Sequence, residues 1–106
     1  MKYMVIQLYD PRCLDDLMLA LTAHNVRDAV VLDGQAVGSA LTQEIPIFAG
    51  FRVDLGEPRG AMKVILAVVK DDDHARAIRD ELKDAGINLT DPATAKVLLF
   101  PVEELG

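Results

Sequence analysis

The feature that most constrains this chain is a pattern that occurs twice. Shifted by 61 positions, Asp10 falls on Asp71, Leu17 on Ile78, Leu21 on Leu82, Asn25 on Gly86 and Val26 on Ile87. Ile6 falls on Ala67 and Leu8 on Val69. Each copy reads as strand, helix, strand. In the first, Met4, Ile6 and Leu8 alternate with Tyr3, Val5, Gln7 and Tyr9 over about 2–9, the period of a strand. Asp10 and Pro11 then open a helix: the carboxylate accepts an otherwise orphan backbone N–H, and proline suits the first turn. Leu14, Leu17, Met18 and Leu21 form one apolar face, and Asn25 is the expected left-handed cap. A second strand covers about 27–33 and Gly34 closes it. In the other copy a strand over about 62–70 leads to Asp71, Asp72 and Asp73, whose charges suit a helix N-terminus. Such an acidic run also resembles a divalent-ion ligand set, but helix capping explains it with less. Ala75, Ile78, Leu82 and Ala85 share a face, Gly86 caps the helix, and 95–102 reads as the last strand.

A duplicated strand–helix–strand unit predicts an α+β fold: the ferredoxin-like split βαβ sandwich, βαββαβ in order, with four antiparallel strands carrying both helices on one face. At 106 residues the chain is read as a single domain, 1–106. The second face of such a sheet is normally polar. Here Val64, Leu66 and Val68 point one way and Ile65, Ala67 and Val69 the other; Val97 and Leu99 likewise oppose Leu98 and Phe100. A monomer would expose a large apolar patch, and such patches mark interfaces. Oligomerisation is the expectation, with a covering loop as the alternative. The connection 34–61 is 28 residues long, against about 4–6 in compact domains. Ile45, Pro46, Ile47, Phe48 and Phe51 make it too apolar to float in water. It is expected to pack on a neighbour or on its own sheet.

The net charge is −6, from 17 acidic and 11 basic residues. That field repels a phosphate backbone, so no nucleic-acid binding is expected. The longest strongly apolar run, 64–69, is far short of the roughly 20 residues of a membrane span, and no signal peptide is visible. One cysteine, Cys13, permits no internal disulfide, which favours the reducing cytoplasm. Cys13 falls at the third helical position, where a helix dipole lowers a thiol pKa, although a buried, inert cysteine is the simpler reading. His24 and His74 have no second His or Cys at metal spacing and read as solvated helix-surface residues. Ser39, between Gly38 and Ala40, is no nucleophile elbow. With no catalytic constellation, the chain is not read as an enzyme.

Anion binding has more support. Gly34-Gln35-Ala36-Val37-Gly38 follows a strand, and glycines let backbone N–H groups approach a phosphate. Arg52, Arg59 and Lys63 lie in or just after the long connection. A second polar turn, Asp91-Pro92-Ala93-Thr94-Ala95-Lys96, offers the Thr94 hydroxyl and the Lys96 charge, with a plain loop as the alternative.

These segments resemble the PII nitrogen-regulatory signal proteins, and more closely their small PII-like relatives, over nearly the whole chain. The 30–38 segment resembles the entry to the family's T-loop, and Gly38 matches part of its Gly-aromatic-Gly element. The 93–100 segment resembles the B-loop and last strand, where Lys96 matches the lysine of Gly-Asp-Gly-Lys. The run 45–52, and the Asp91-Pro92 turn with Phe100-Pro101-Val102, look like the small relatives. The resemblance implies a homotrimer with its sheets packed inside. It also implies clefts between subunits that take an adenine nucleotide or other small anion, and a 34–61 loop that engages a target protein. Together with the residues read from the loop and the turn, the candidate ligand-binding set is Gly34, Gln35, Gly38, Arg52, Arg59, Lys63, Thr94 and Lys96. Tyr3 and Tyr9 both lie in the first strand, so uridylylation of the loop is not expected. A structural or accessory trimer without a ligand is the alternative. The copper-tolerance trimers share the architecture, but clustered metal ligands are missing.

Overall fold

A computed structural model describes residues 1–37 and 60–106. Among them are strand β1 (Lys2–Leu8), a 3-10 turn (Pro11–Cys13), helix α1 (Leu14–Ala23), strands β2 (Val30–Gln35) and β3 (Ala61–Val69), helix α2 (Asp72–Asp84) and strand β4 (Ala95–Pro101). The four strands form one antiparallel sheet in the order β2-β3-β1-β4, an α+β arrangement compatible with a ferredoxin-like fold. The expected packing of Phe48 and Phe51 lies outside the described residues.

Alternation sorts the strands as the pattern requires. Met4, Ile6 and Leu8 of β1 and Ile65, Ala67 and Val69 of β3 are buried beneath the helices. Leu17, Ala20 and Leu21 of α1 and Ala75, Ile78 and Leu82 of α2 close the core from above. Met18, expected on the apolar face of α1, is 45% exposed, while Ala20 takes the buried place. The inward stripe is therefore centred on Leu17, Ala20 and Leu21.

Both helices end in the same way. The Val26 N–H donates to the Leu21 carbonyl (2.9 Å) and the Asn25 N–H to that of Thr22 (3.0 Å). In the second copy Ile87 donates to Leu82 (2.8 Å) and Gly86 to Lys83 (3.0 Å). This is the Schellman geometry, which needs a left-handed residue just past the helix. Asn25 has φ 64° and Gly86 φ 89°. The apolar residue that follows each, Val26 or Ile87, is buried in the core beside Leu21 or Leu82.

The helix starts differ. Asp71 caps α2, its side chain accepting from the His74 N–H at 2.8 Å. Asp10 caps the 3-10 turn that leads into α1. The Arg12 guanidinium and then the Arg12 N–H, both bonded to its carboxylate, hold Asp10 below the usual carboxylate range.

The second strand is displaced from the sequence expectation. It begins at Val30 rather than about 27 and runs through Gly34 to Gln35. Gly34 therefore continues the strand instead of closing it, and a Cβ there would meet Val64 Cγ2 at 3.0 Å. A side chain there would be tight against β3 unless Val64 shifted by a few tenths of an ångström. With β3 beginning at Ala61, the connection is shorter than 34–61 at both ends.

Candidate functional site

Cross-strand register places the candidate residues. Asp33, Lys63, Leu8 and Ala95 form one row across the sheet, and Leu32, Val64, Gln7 and Lys96 the next. The end of β2, the starts of β3 and β4 and the end of β1 therefore share one pole. Gly34 and Gln35 lie on one edge strand and Lys96 on the other, three strand spacings or about 14 Å apart. One chain alone does not bring the two ends of the candidate set together. Gly38, Arg52 and Arg59 lie outside the described residues.

Two of the described candidates have structural duties. Lys63 stands directly opposite Asp33 and is ion-paired with it. Gly34 lies close to the Val64 and Met62 side chains, with little room for a Cβ. The Thr94 turn is built by Asp91, whose backbone carbonyl accepts from Thr94 N at 2.9 Å and Ala95 N at 3.1 Å. The Asp91 side chain accepts from Ala93 N at 3.0 Å. The Thr94 carbonyl in turn accepts from Tyr9 N (2.9 Å) and Asp10 N (3.3 Å), fastening the turn to the end of β1. Lys96 follows on β4, exposed and without an ion-pair partner among the described residues. Its register neighbour is Gln7, whose side-chain oxygen accepts from the Tyr9 hydroxyl at 3.0 Å.

The sheet face away from the helices is mostly apolar. Val30, Leu66, Val5 and Leu98 form one row on it, and Val68, Tyr3 and Phe100 another. Tyr3 and Phe100 meet edge to face with centroids 5.7 Å apart. Val30, Leu32, Leu98 and Phe100 are exposed. Polar side chains enter only at the Gln7–Lys96 end.

The histidines depart from the sequence expectation. They are not solvated singly but lie with ring centroids 6.4 Å apart. His74 Nδ1 accepts from the Lys70 N–H at 3.0 Å, so its Nε2–H donates to the His24 carbonyl, 2.7 Å away. The ring thus bolts the end of α1 to the start of α2. His24 Nε2 is buried, 3.5 Å from Glu81 Oε2. A separation of 50 positions hid this pairing from the sequence. Among the described residues no group of three or more His, Cys, Asp or Glu is placed to hold a metal ion. The 71–73 carboxylates serve the helix start and ion pairs from Lys2 and Arg76.

Cys13 is buried in the core, and burial pushes its thiol up, opposite to the helix-dipole effect considered from sequence. Alkylation by iodoacetamide at neutral pH should be markedly slower in the native protein than in urea. Equal rates would show that the thiol is accessible and ionised.

Among the described residues no helix is long and apolar enough to cross a membrane. No protein-family model matches this chain, and no curated protein matches it.

Proposed function

We propose that this protein is a PII-like homotrimeric regulatory protein of the cytoplasm. In this reading it senses a small anion, such as an adenine nucleotide, at clefts between subunits. The open apolar face of the sheet carries the proposal, because a four-strand row and a three-strand row of aliphatic and aromatic side chains need a cover. The element order and the strand order β2-β3-β1-β4 support the ferredoxin-like split βαβ sandwich expected for such a subunit. The ligand cleft requires a neighbouring copy, since the two parts of the candidate set occupy opposite edges of one sheet. Lys96, unpaired beside Gln7, supplies the charge, and the loop after β2 reports occupancy to a target protein. The pairing of Lys63 with Asp33 and the packing role of Gly34 favour the second reading, an accessory trimer with no small ligand.

Sedimentation equilibrium should give about three times the 11.6 kDa chain mass. Calorimetric titration with ATP, ADP, AMP and cyclic di-AMP should find one ligand. A charge-assisted hydrogen bond contributes about 1.5–3 kcal/mol, so Lys96→Ala should weaken that ligand roughly ten- to a hundredfold. A trimer that binds none of the four supports the accessory reading. A monomer at micromolar concentration removes both.

A further inference from the structure

A groove separates α2 from β4 on the helical side of the sheet, opposite the open face. It arises because α2 packs over β3 and against α1, so the helical layer stops short of the edge strand. Met4, Val97 and Leu99 form its floor and Ile78 its wall, while Leu89 and Pro92 close one end. Leu99 points to the helical side yet remains 37% exposed. The groove encloses about 620 Å³, within the roughly 300–1,000 Å³ of small-molecule sites.

Its charge is the reverse of the protein's. The chain carries 17 acidic and 11 basic residues, but among the described residues the charged ones lining the groove are Arg76, Arg79 and Lys96. Strand alternation turns the Lys96 side chain toward the open face, so Lys96 borders the groove only along the strand edge. Arg76 and Arg79 stand on the helix wall. Arg76 uses one guanidinium nitrogen on Asp73 (3.2 Å), and Arg79 holds Asp80 Oδ1 through both Nε and Nη2 (3.1 Å each). Both carboxylates are largely solvent-exposed, so these pairs are weak and compete poorly with a better anion. Each fork keeps further N–H donors.

We propose that this groove binds a small amphipathic monoanion. An aliphatic chain lies along Val97 and Leu99, with the almost wholly buried Met4 and Ile78 behind them, and a carboxylate head sits on the Arg76 and Arg79 forks. The site is distinct from the intersubunit cleft proposed above and does not depend on it.

Octanoate and 1-octanol test the two halves of this recognition by calorimetric titration of the full chain. Octanoate should bind saturably, once per chain, and about tenfold or more tighter than the alcohol. The double variant Arg76→Gln, Arg79→Gln should lose about ten- to a hundredfold in octanoate affinity, the range of a charge-assisted hydrogen bond. Its affinity for 1-octanol should not change and its thermal midpoint should stay close to wild type, because Arg76 is exposed and the half-buried Arg79 is paired only with an exposed carboxylate. Leu99→Trp, which fills the groove, should abolish binding of both. Equal affinity for acid and alcohol, or an unchanged double variant, would make the groove a plain hydrophobic crevice and overturn the proposal. No saturable octanoate binding would also overturn it, leaving the groove to an extended peptide on the β4 edge or to a second copy of the chain.

Discussion

Leu82→Ala should lower the unfolding free energy by about 2–5 kcal/mol, read as a fall in the urea midpoint with little change in slope. Domains of this kind are stable by about 5–15 kcal/mol, so the loss is a large share of the total. Leu82 is 2% exposed and its carbonyl accepts the Ile87 N–H that ends α2. The substitution keeps that backbone bond but removes the side chain beside which Ile87 is buried. The cavity and a loosened cap therefore act together. Leu19→Ala is the control: Leu19 is 68% exposed on α1, and the change should fall within about 0.5 kcal/mol of wild type. Equal effects at the two positions would contradict the packing described.

The second large effect is Leu66→Asp. Leu66 lies at the centre of the open face, between Val30 and Val5 in register. In the proposed trimer a carboxylate there would be buried unpaired, at a cost of several kcal/mol, and the assembly should fall apart into folded chains of 11.6 kDa. Val97→Asp makes the contrast. Val97 is directly opposite Ile6 and packs against the core on the helical side, so its replacement should lower the unfolding midpoint whatever the oligomeric state. A Leu66→Asp protein that sediments as wild type would remove the open face as an interface.

The local parts of this fold were legible in the sequence. Asp10, Asn25, Asp71 and Gly86 act on backbone groups a few positions away, so their types alone told where helices begin and end. Alternation in β1 and β3 likewise sorted the residues into two faces, but in β3 both faces are apolar, so only the packing of the helices shows that Ile65, Ala67 and Val69 face the core. The bounds of β2 were not legible, because they depend on pairing: Val30 meets Leu66, Gly34 meets Met62 and Gln35 meets Ala61, which carries the strand past the glycine. Of the candidate site, Lys96 kept a free charge, but the Asp33 partner of Lys63 is set by cross-strand register. The contact between His24 and His74 and the Arg76–Arg79 groove both arise from how the helices lie on the sheet. The only local trace of the groove was two arginines at i and i+3 on an amphipathic helix.

The strand order also sets how this protein is exposed to aggregation. A free edge offers unpaired N–H and C=O groups to any passing strand. On β4 that edge carries Val97, Leu98, Leu99 and Phe100 in succession, with Lys96 before them and Pro101 after as the only gatekeepers. The β2 edge is better guarded, by the Asp33 charge and by Gly34. Any condition that frees single chains thus presents one run of high β-propensity and no charge for intermolecular templating. Fibril seeding should begin at 97–100, and a lysine introduced at Leu98 would blunt it.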